Sequence, residues 1–265
     1  MLCDMIEISR AILTNQDVLP STPVSSVWQD DFWGTPLTHS GSHKSYRPLT
    51  VISFRLNYLA GGFRPAGYHL VNVLLHCLAT ALVVRLARAM FGLRRQLPTI
   101  ASGAVFAAHP VHTEAVAGVV GRADIGACIF FLLSFLCYVS HVRYRAKSES
   151  LSPGEAGEQD AASRKWTYLA ACLLFATCAI LTKEQGITVL VVCALYDVLL
   201  HLRRDPDFSV RDLFTKFFSL FFPLPSVRAS GGAEEKQSAR LEHLAKQREP
   251  YFSYQLHFVR YFLQQ

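Results

Sequence analysis

Charge is missing from long stretches of this sequence. Residues 166–182 contain no Asp, Glu, Lys or Arg, and residues 187–200 contain only Asp197. Runs of this kind exclude helices solvated along one side, because each would leave a wide apolar surface in water. Other features are absent too. No Asn-x-Ser/Thr sequon occurs, so no glycan can mark the side of a membrane on which a loop lies. The seven cysteines show neither zinc-ligand spacing nor a disulfide framework. All but Cys3 lie in apolar blocks and read as small core residues. Residues 1–10 lack the apolar core of a signal peptide. No Gly-rich phosphate loop, no internal repeat and no basic patch interleaved with aromatics is found, which argues against a nucleotide-sugar site, a solenoid and nucleic-acid binding.

What is there is hydrophobic and clustered. The chain has 265 residues, 51% of them hydrophobic, and a formal charge of +6. Its mean hydropathy is +0.24. These averages alone also fit a soluble α/β domain. The clustering decides the class: apolar residues fall in long blocks and charges sit between them. The expected fold is all-α, a polytopic membrane helical bundle. Five segments are predicted, at about residues 68–91, 99–120, 123–142, 166–182 and 187–201, the second interrupted by His109-Pro110. A 17-residue helix spans about 26 Å, close to the roughly 27 Å hydrocarbon core of a thin membrane such as the endoplasmic reticulum. Residues 1–67 read as a folded loop with short helices. Residues 148–162 read as a flexible linker, and residues 202–265 as a divergent cytosolic or interfacial tail.

Lys and Arg set the orientation. "GLRRQ" after the first segment, "HVRYRAK" and "SRKW" around the loop between the third and fourth, and "HLRRD" after the fifth all fall on one side by parity. That side is assigned to the cytosol. Residues 1–67, the "GRAD" turn (121–124) and "KEQG" (183–186) then share the opposite face, where the short connections require their charges to find partners.

Each charged motif has a plain reading and a functional one. In "HPVHTE" (109–114), His109, His112 and Glu114 form a polar kink that can hydrogen-bond a phosphate, a sugar or neighbouring helices. The order is not that of a zincin, and no metal site is assigned. Arg122 and Asp124 of "GRAD" read either as a helix cap or, with Lys183, as part of a phosphate site. Lys183 and Glu184 read either as an ion pair at the membrane rim or as phosphate contacts. Asp30 and Asp31 in "WQDDFWG" are offered as base or metal ligands, or as surface acids beside interfacial aromatics. Lys44 and Arg47 in "SHKSYRP" hold an anion or anchor at headgroups.

Taken together, "AILTNQD", "DDFWG", "SHKSYRPLTVISFRLNY", "YHLVNVLLH", "HPVHTEAVAGVVGRAD" and "KEQGITV" resemble one family. It is the transmembrane and tetratricopeptide-repeat-containing protein O-mannosyltransferases, with the second paralogue's type the nearest in kind. The resemblance covers about residues 9–200, and it implies an N-terminal portion of the GT-C glycosyltransferase architecture. It implies a multi-pass enzyme of the endoplasmic reticulum membrane that needs no cofactor. The implied donor is dolichyl phosphate mannose, and the implied acceptors are Ser or Thr of secretory or cell-surface proteins of cadherin type. Members carry a luminal acidic pair just before "AI..N.D". Aligned on Ser9-Arg10-Ala11-Ile12, Glu7 takes one acidic position and Ile8 the other, so Glu7 is the positional candidate for the base, ahead of Asp4. The implied donor contacts are Lys44, Arg47, His109, His112, Glu114, Arg122, Asp124, Lys183 and Glu184. The helix that precedes this region in the family, its later helices and its repeats find no match here. The expectation is therefore a truncated gene model or isoform, inactive alone. Two other readings stand beside it: a non-catalytic membrane fragment or partner protein, and a multipass transporter. Charges gathered at one membrane face, without inverted repeats, speak against the transporter.

Overall fold

The computed structural model describes residues 9–92, 94–152 and 155–204. It is an all-α, polytopic membrane bundle capped at one end by the N-terminal block. Among the described residues no strand forms, and the single β-type contact is an antiparallel bridge between Asp30 and Pro36. The predicted folded loop is built from a π-helical turn (Ser9–Leu13), two 3-10 turns (Gln16–Val18 and Val24–Trp28) and helix α1 (Pro48–Gly61). Pro48 starts α1 at a position where the missing N–H costs nothing, and Gly62 ends it at φ 65°.

The remaining helices are α2 (Pro65–Phe91), α3 (Gln96–Ala108), α4 (His112–Ala117), α5 (Arg122–Ser150), α6 (Glu158–Thr182) and α7 (Thr188–Arg204). Among the described residues, four stretches are long and apolar enough to cross a membrane: α2, α5, α6 and the run Glu184–Leu202 that includes most of α7. Helix α5 is central, since 56% of its most apolar window is enclosed by the bundle, against 22% for α2 and α6 and 17% for the last stretch. The outer faces of α2, α6 and α7 expose Leu74, Leu174, Val191 and Leu195, as helices facing lipid do.

The structure redraws two stretches. The segment expected at 99–120 is two helices, α3 and α4. Pro110 lacks an N–H and forces His109 into an extended conformation (ψ 127°), so α3 stops at Ala108. The linker expected at 148–162 is shorter, because α5 runs to Ser150 and α6 already begins at Glu158. Arg, Lys, Glu, Gln and Ala are good helix formers, and the two helices brace each other beyond the apolar core. Tyr144 stacks on Tyr168, and His141 Nδ1 lies 2.7 Å from the Lys165 carbonyl. Near the same end Arg145 pairs with Asp197 at 2.5 Å, which accounts for the one charge in the last apolar run.

Among the described residues, three apolar clusters hold the bundle. One joins Ala11, Val18, Phe32, Phe54, Tyr68 and Val119, fixing the N-terminal block on the first turns of α2 and the approach to α5. A second lies between α2, α3 and α5 around Leu82, Ile129 and Leu132. The third joins α5, α6 and α7 through Phe135, Val139, Ala176 and Val189.

Candidate functional site

The polar face is built where the N-terminal block meets the start of α5 and the end of α6. Helix α6 ends at Thr182, whose carbonyl accepts from Thr50 Oγ1 of α1 at 2.8 Å. Lys183 is extended (φ −155°, ψ 139°), and a 3-10 turn (Glu184–Ile187) leads into α7. This break in helical backbone sends the two adjacent charges to different partners. The Lys183 ammonium lies against the Asp124 carboxylate in the first turn of α5. Glu184 accepts from Arg47, with Nε at 3.1 and 3.2 Å and Nη2 at 3.0 Å. Arg47 precedes α1 and lies over the Phe32 ring, 5.2 Å from its centroid. Two ion pairs therefore sit side by side, each with one partly buried cation and one half-exposed carboxylate.

Asp124 also lines a cleft of about 210 Å³ with His76 and Ala79 of α2, Phe106 of α3, His112 of α4 and Cys128 of α5. Phe106 stacks on His76 at 5.5 Å and meets His112 at 4.4 Å. His76 Nε2 approaches the Ala107 carbonyl at 3.3 Å, close enough for an N–H at that nitrogen to donate. Burial, with His76 and His109 close by, lowers the pKa of His112, so its ring is neutral at neutral pH. His109 is exposed and accepts from the Val111 N–H at 3.2 Å, while Glu114 is exposed on α4. Among the described residues no group of three or more His, Cys, Asp or Glu is arranged to hold a metal ion.

Arg122 belongs to the frame of this site. Its side chain is 1% exposed and turned into the bundle. The guanidinium donates to Asn72 Oδ1 at 2.8 Å, Asn57 Oδ1 at 2.9 Å, the Tyr68 carbonyl at 3.0 Å and the Ser53 carbonyl at 3.3 Å. It lies over the Phe54 and Tyr68 rings. Asn72 in turn donates to the Gly118 carbonyl at 3.0 Å. The arginine that the sequence offered to a phosphate thus clamps α1, α2 and α5 together and is closed off from solvent.

The acidic loop is also organised internally. Both Asp31 oxygens are filled: Oδ1 accepts from the Trp33 and Thr35 N–H groups, and Oδ2 from Ser42 Oγ and the His43 N–H. Burial alone would raise its pKa, but these donors outweigh burial and hold it below the usual aspartate range. With its acceptor positions taken, Asp31 holds the loop closed. Asp30 is half-buried, and burial together with the Asp17 and Asp31 charges raises its pKa. Lys44, at φ 58°, is exposed and caps the carbonyls of Leu37 and His39 away from the ion pairs. Glu7 lies outside the described residues.

The fold thus brings Arg47, Asp124, Lys183 and Glu184 to one face and connects it to His112 through the cleft. His76 and Phe106, which line that cleft, were not singled out from the sequence. His76 closes the "YHLVNVLLH" stretch and is a polar ring within an apolar helix, two signals that marked it.

No family model and no solved structure matches the chain. Curated relatives do. Protein O-mannosyl-transferase Tmtc2 of Drosophila melanogaster is 54% identical over 199 residues, covering 75% of this chain and 20% of the relative. Protein O-mannosyl-transferase tmtc2 of Xenopus laevis is 53% identical over 224 residues, covering 84% and 25%. Protein O-mannosyl-transferase TMTC2 of Homo sapiens is 51% identical over 195 residues, covering 74% and 21%. The chain thus spans about a quarter or less of the length of these relatives. By this identity over about three quarters of its length, the chain belongs to the Tmtc family of protein O-mannosyl-transferases.

Proposed function

We propose that this chain is the donor-binding portion of a protein O-mannosyltransferase of the endoplasmic reticulum membrane. It acts on dolichyl phosphate mannose, and the acceptor is a Ser or Thr hydroxyl of secretory or cell-surface proteins, of cadherin type. The observation that carries the reading is the pair of cations, Lys183 and Arg47, on one face of a membrane bundle beside a small aromatic cleft. In the transfer, the acceptor oxygen forms a bond to the anomeric carbon as the bond from that carbon to the phosphate oxygen breaks. A carboxylate takes the hydroxyl proton, with Glu7 the positional candidate. The electron pair leaves on the lipid phosphate, whose charge Lys183 and Arg47 stabilise in a low-dielectric setting. Outward apolar faces on α2, α6 and α7 suit a lipid-linked donor.

The test is Lys183→Ala in a full-length transferase carrying this segment. Loss of one preorganised cation costs roughly 3–4 kcal/mol if it behaves like a lost oxyanion donor, so transfer falls by on the order of a hundredfold or more at unchanged expression. Near-normal transfer by that variant would reduce Lys183 to a membrane-rim anchor.

A further inference from the structure

Lys183 is already occupied. Its ammonium lies against Asp124, with the lysine side chain 18% exposed and the aspartate 47%. Asp124 is therefore within reach of incoming ligand, and it borders both the lysine and the cleft lined by His76, Phe106 and His112. A phosphodiester carries one negative charge, as a carboxylate does, so it can replace Asp124 at Lys183 without leaving the cation unmatched. The displaced carboxylate is not stranded either. It stays half in solvent, in the first turn of α5, where the dipole of a 29-residue helix favours an anion.

We propose that Asp124 exchanges partners when a lipid-linked sugar phosphate binds. The phosphate takes Lys183, and the released carboxylate accepts a hydrogen bond from a hydroxyl of the sugar seated in the His76–His112 cleft. This rests on the phosphate role proposed above for Lys183. The cleft suits a single sugar ring: the His76, Phe106 and His112 rings pack against one another, with centroids 4.4 to 5.5 Å apart, and form an aromatic wall for the C–H face of a pyranose. His112 offers a neutral ring nitrogen, and the freed Asp124 supplies a charge-assisted acceptor, stronger than a neutral one. Asp124 thus works against a bare lipid phosphate and with a sugar-bearing one, which biases the site toward loaded donor over spent carrier.

The experiment measures binding of a short-chain polyprenyl phosphate, and of the same lipid phosphate bearing mannose, to the detergent-solubilised chain. Asp124→Asn keeps the shape and removes the charge; Asp124→Ser serves as a second variant. Both are expected to bind the bare lipid phosphate about tenfold more tightly than the parent. The preference for the mannosylated form over the bare one is expected to fall several-fold. His76→Ala should reduce that preference several-fold. Unchanged affinity for both ligands in both Asp124 variants overturns the exchange. Equal tightening toward both ligands overturns the sugar contact. Parent-like binding of bare lipid phosphate by Lys183→Gln, or no binding by the parent chain, overturns the phosphate role itself and the exchange with it.

Discussion

Arg122 shows how far a charge can be from acting as one toward ligand. It is fully buried and, among the described residues, pairs with no carboxylate; neutral oxygens and two aromatic rings surround its charge. Arg122→Met would keep much of the volume but leave the Asn57 and Asn72 oxygens without their donor. Each orphaned buried acceptor costs about 1–3 kcal/mol. A drop of several degrees in thermal unfolding is expected, with Arg122→Lys recovering only part of it, because an ammonium cannot reproduce the guanidinium fork. An unchanged melting temperature for the Met variant would mean that the clamp is dispensable.

Asp31 makes the complementary case with a negative charge. Its pKa is lower folded than unfolded, so its contribution to loop stability is complete above the ordinary aspartate value of about 3.9. That contribution fades as pH falls through the lower folded value. The protection of amides across residues 31–45, relative to intrinsic exchange at each pH, should therefore fall on acidification below that range in the parent chain. In Asp31→Asn it should already be low at neutral pH and show less of this acid response.

At the scale of elements, the turn between α6 and α7 is the tightest point near the ion pairs. A Cβ on Gly186 would meet backbone atoms of Ala179 at 2.4 and 2.5 Å. Backbone on α6 cannot step aside as a flexible side chain can. Gly186→Ala should push the 3-10 turn off the end of α6 and cost roughly 1–3 kcal/mol, as overpacking does. Because Lys183 and Glu184 leave from the same turn, donor binding should weaken along with stability. Thermal unfolding measured beside lipid-phosphate binding tests both. Full retention of both would show that the turn can shift freely.

At the scale of the whole molecule, the two ends of the bundle differ in kind. One end gathers the N-terminal block, the starts of α2 and α5, and the turn after α6. About 40 Å away along α2, by its 27 residues, lies the end that carries Arg94, Arg95, Arg143, Lys147 and Arg164. Positive charge marks the cytosolic side, so the ion-pair face is expected on the opposite, non-cytosolic side. Cysteine placed at the exposed Gln185 and at the exposed Arg94, in a chain otherwise free of cysteine, should react with an impermeant thiol reagent from opposite sides. Arg122 is unsuited to this assay because it is buried. Labelling of both positions from one side would overturn the orientation.

The sequence by itself determined the class of fold and the apolar stretches of α2, α5, α6 and α7. Those follow from a one-dimensional quantity, run length against membrane thickness. It also marked Pro110 as a break, because a missing N–H acts locally wherever the residue sits. Only the tertiary structure decided what each charge does. Arg122 and Lys183 are both cations at helix ends in the sequence, yet one is sealed beneath α1 and the other faces Asp124 at the rim. Arg47 and Glu184 are 137 residues apart, and their pairing depends on how α1 rests against α6. The extension of α5 and α6 past their apolar cores was likewise hidden, because it rests on contacts between helices, such as Tyr144 on Tyr168, that no hydropathy pattern records. Patterning is read along a chain, whereas partners are assigned across space by packing.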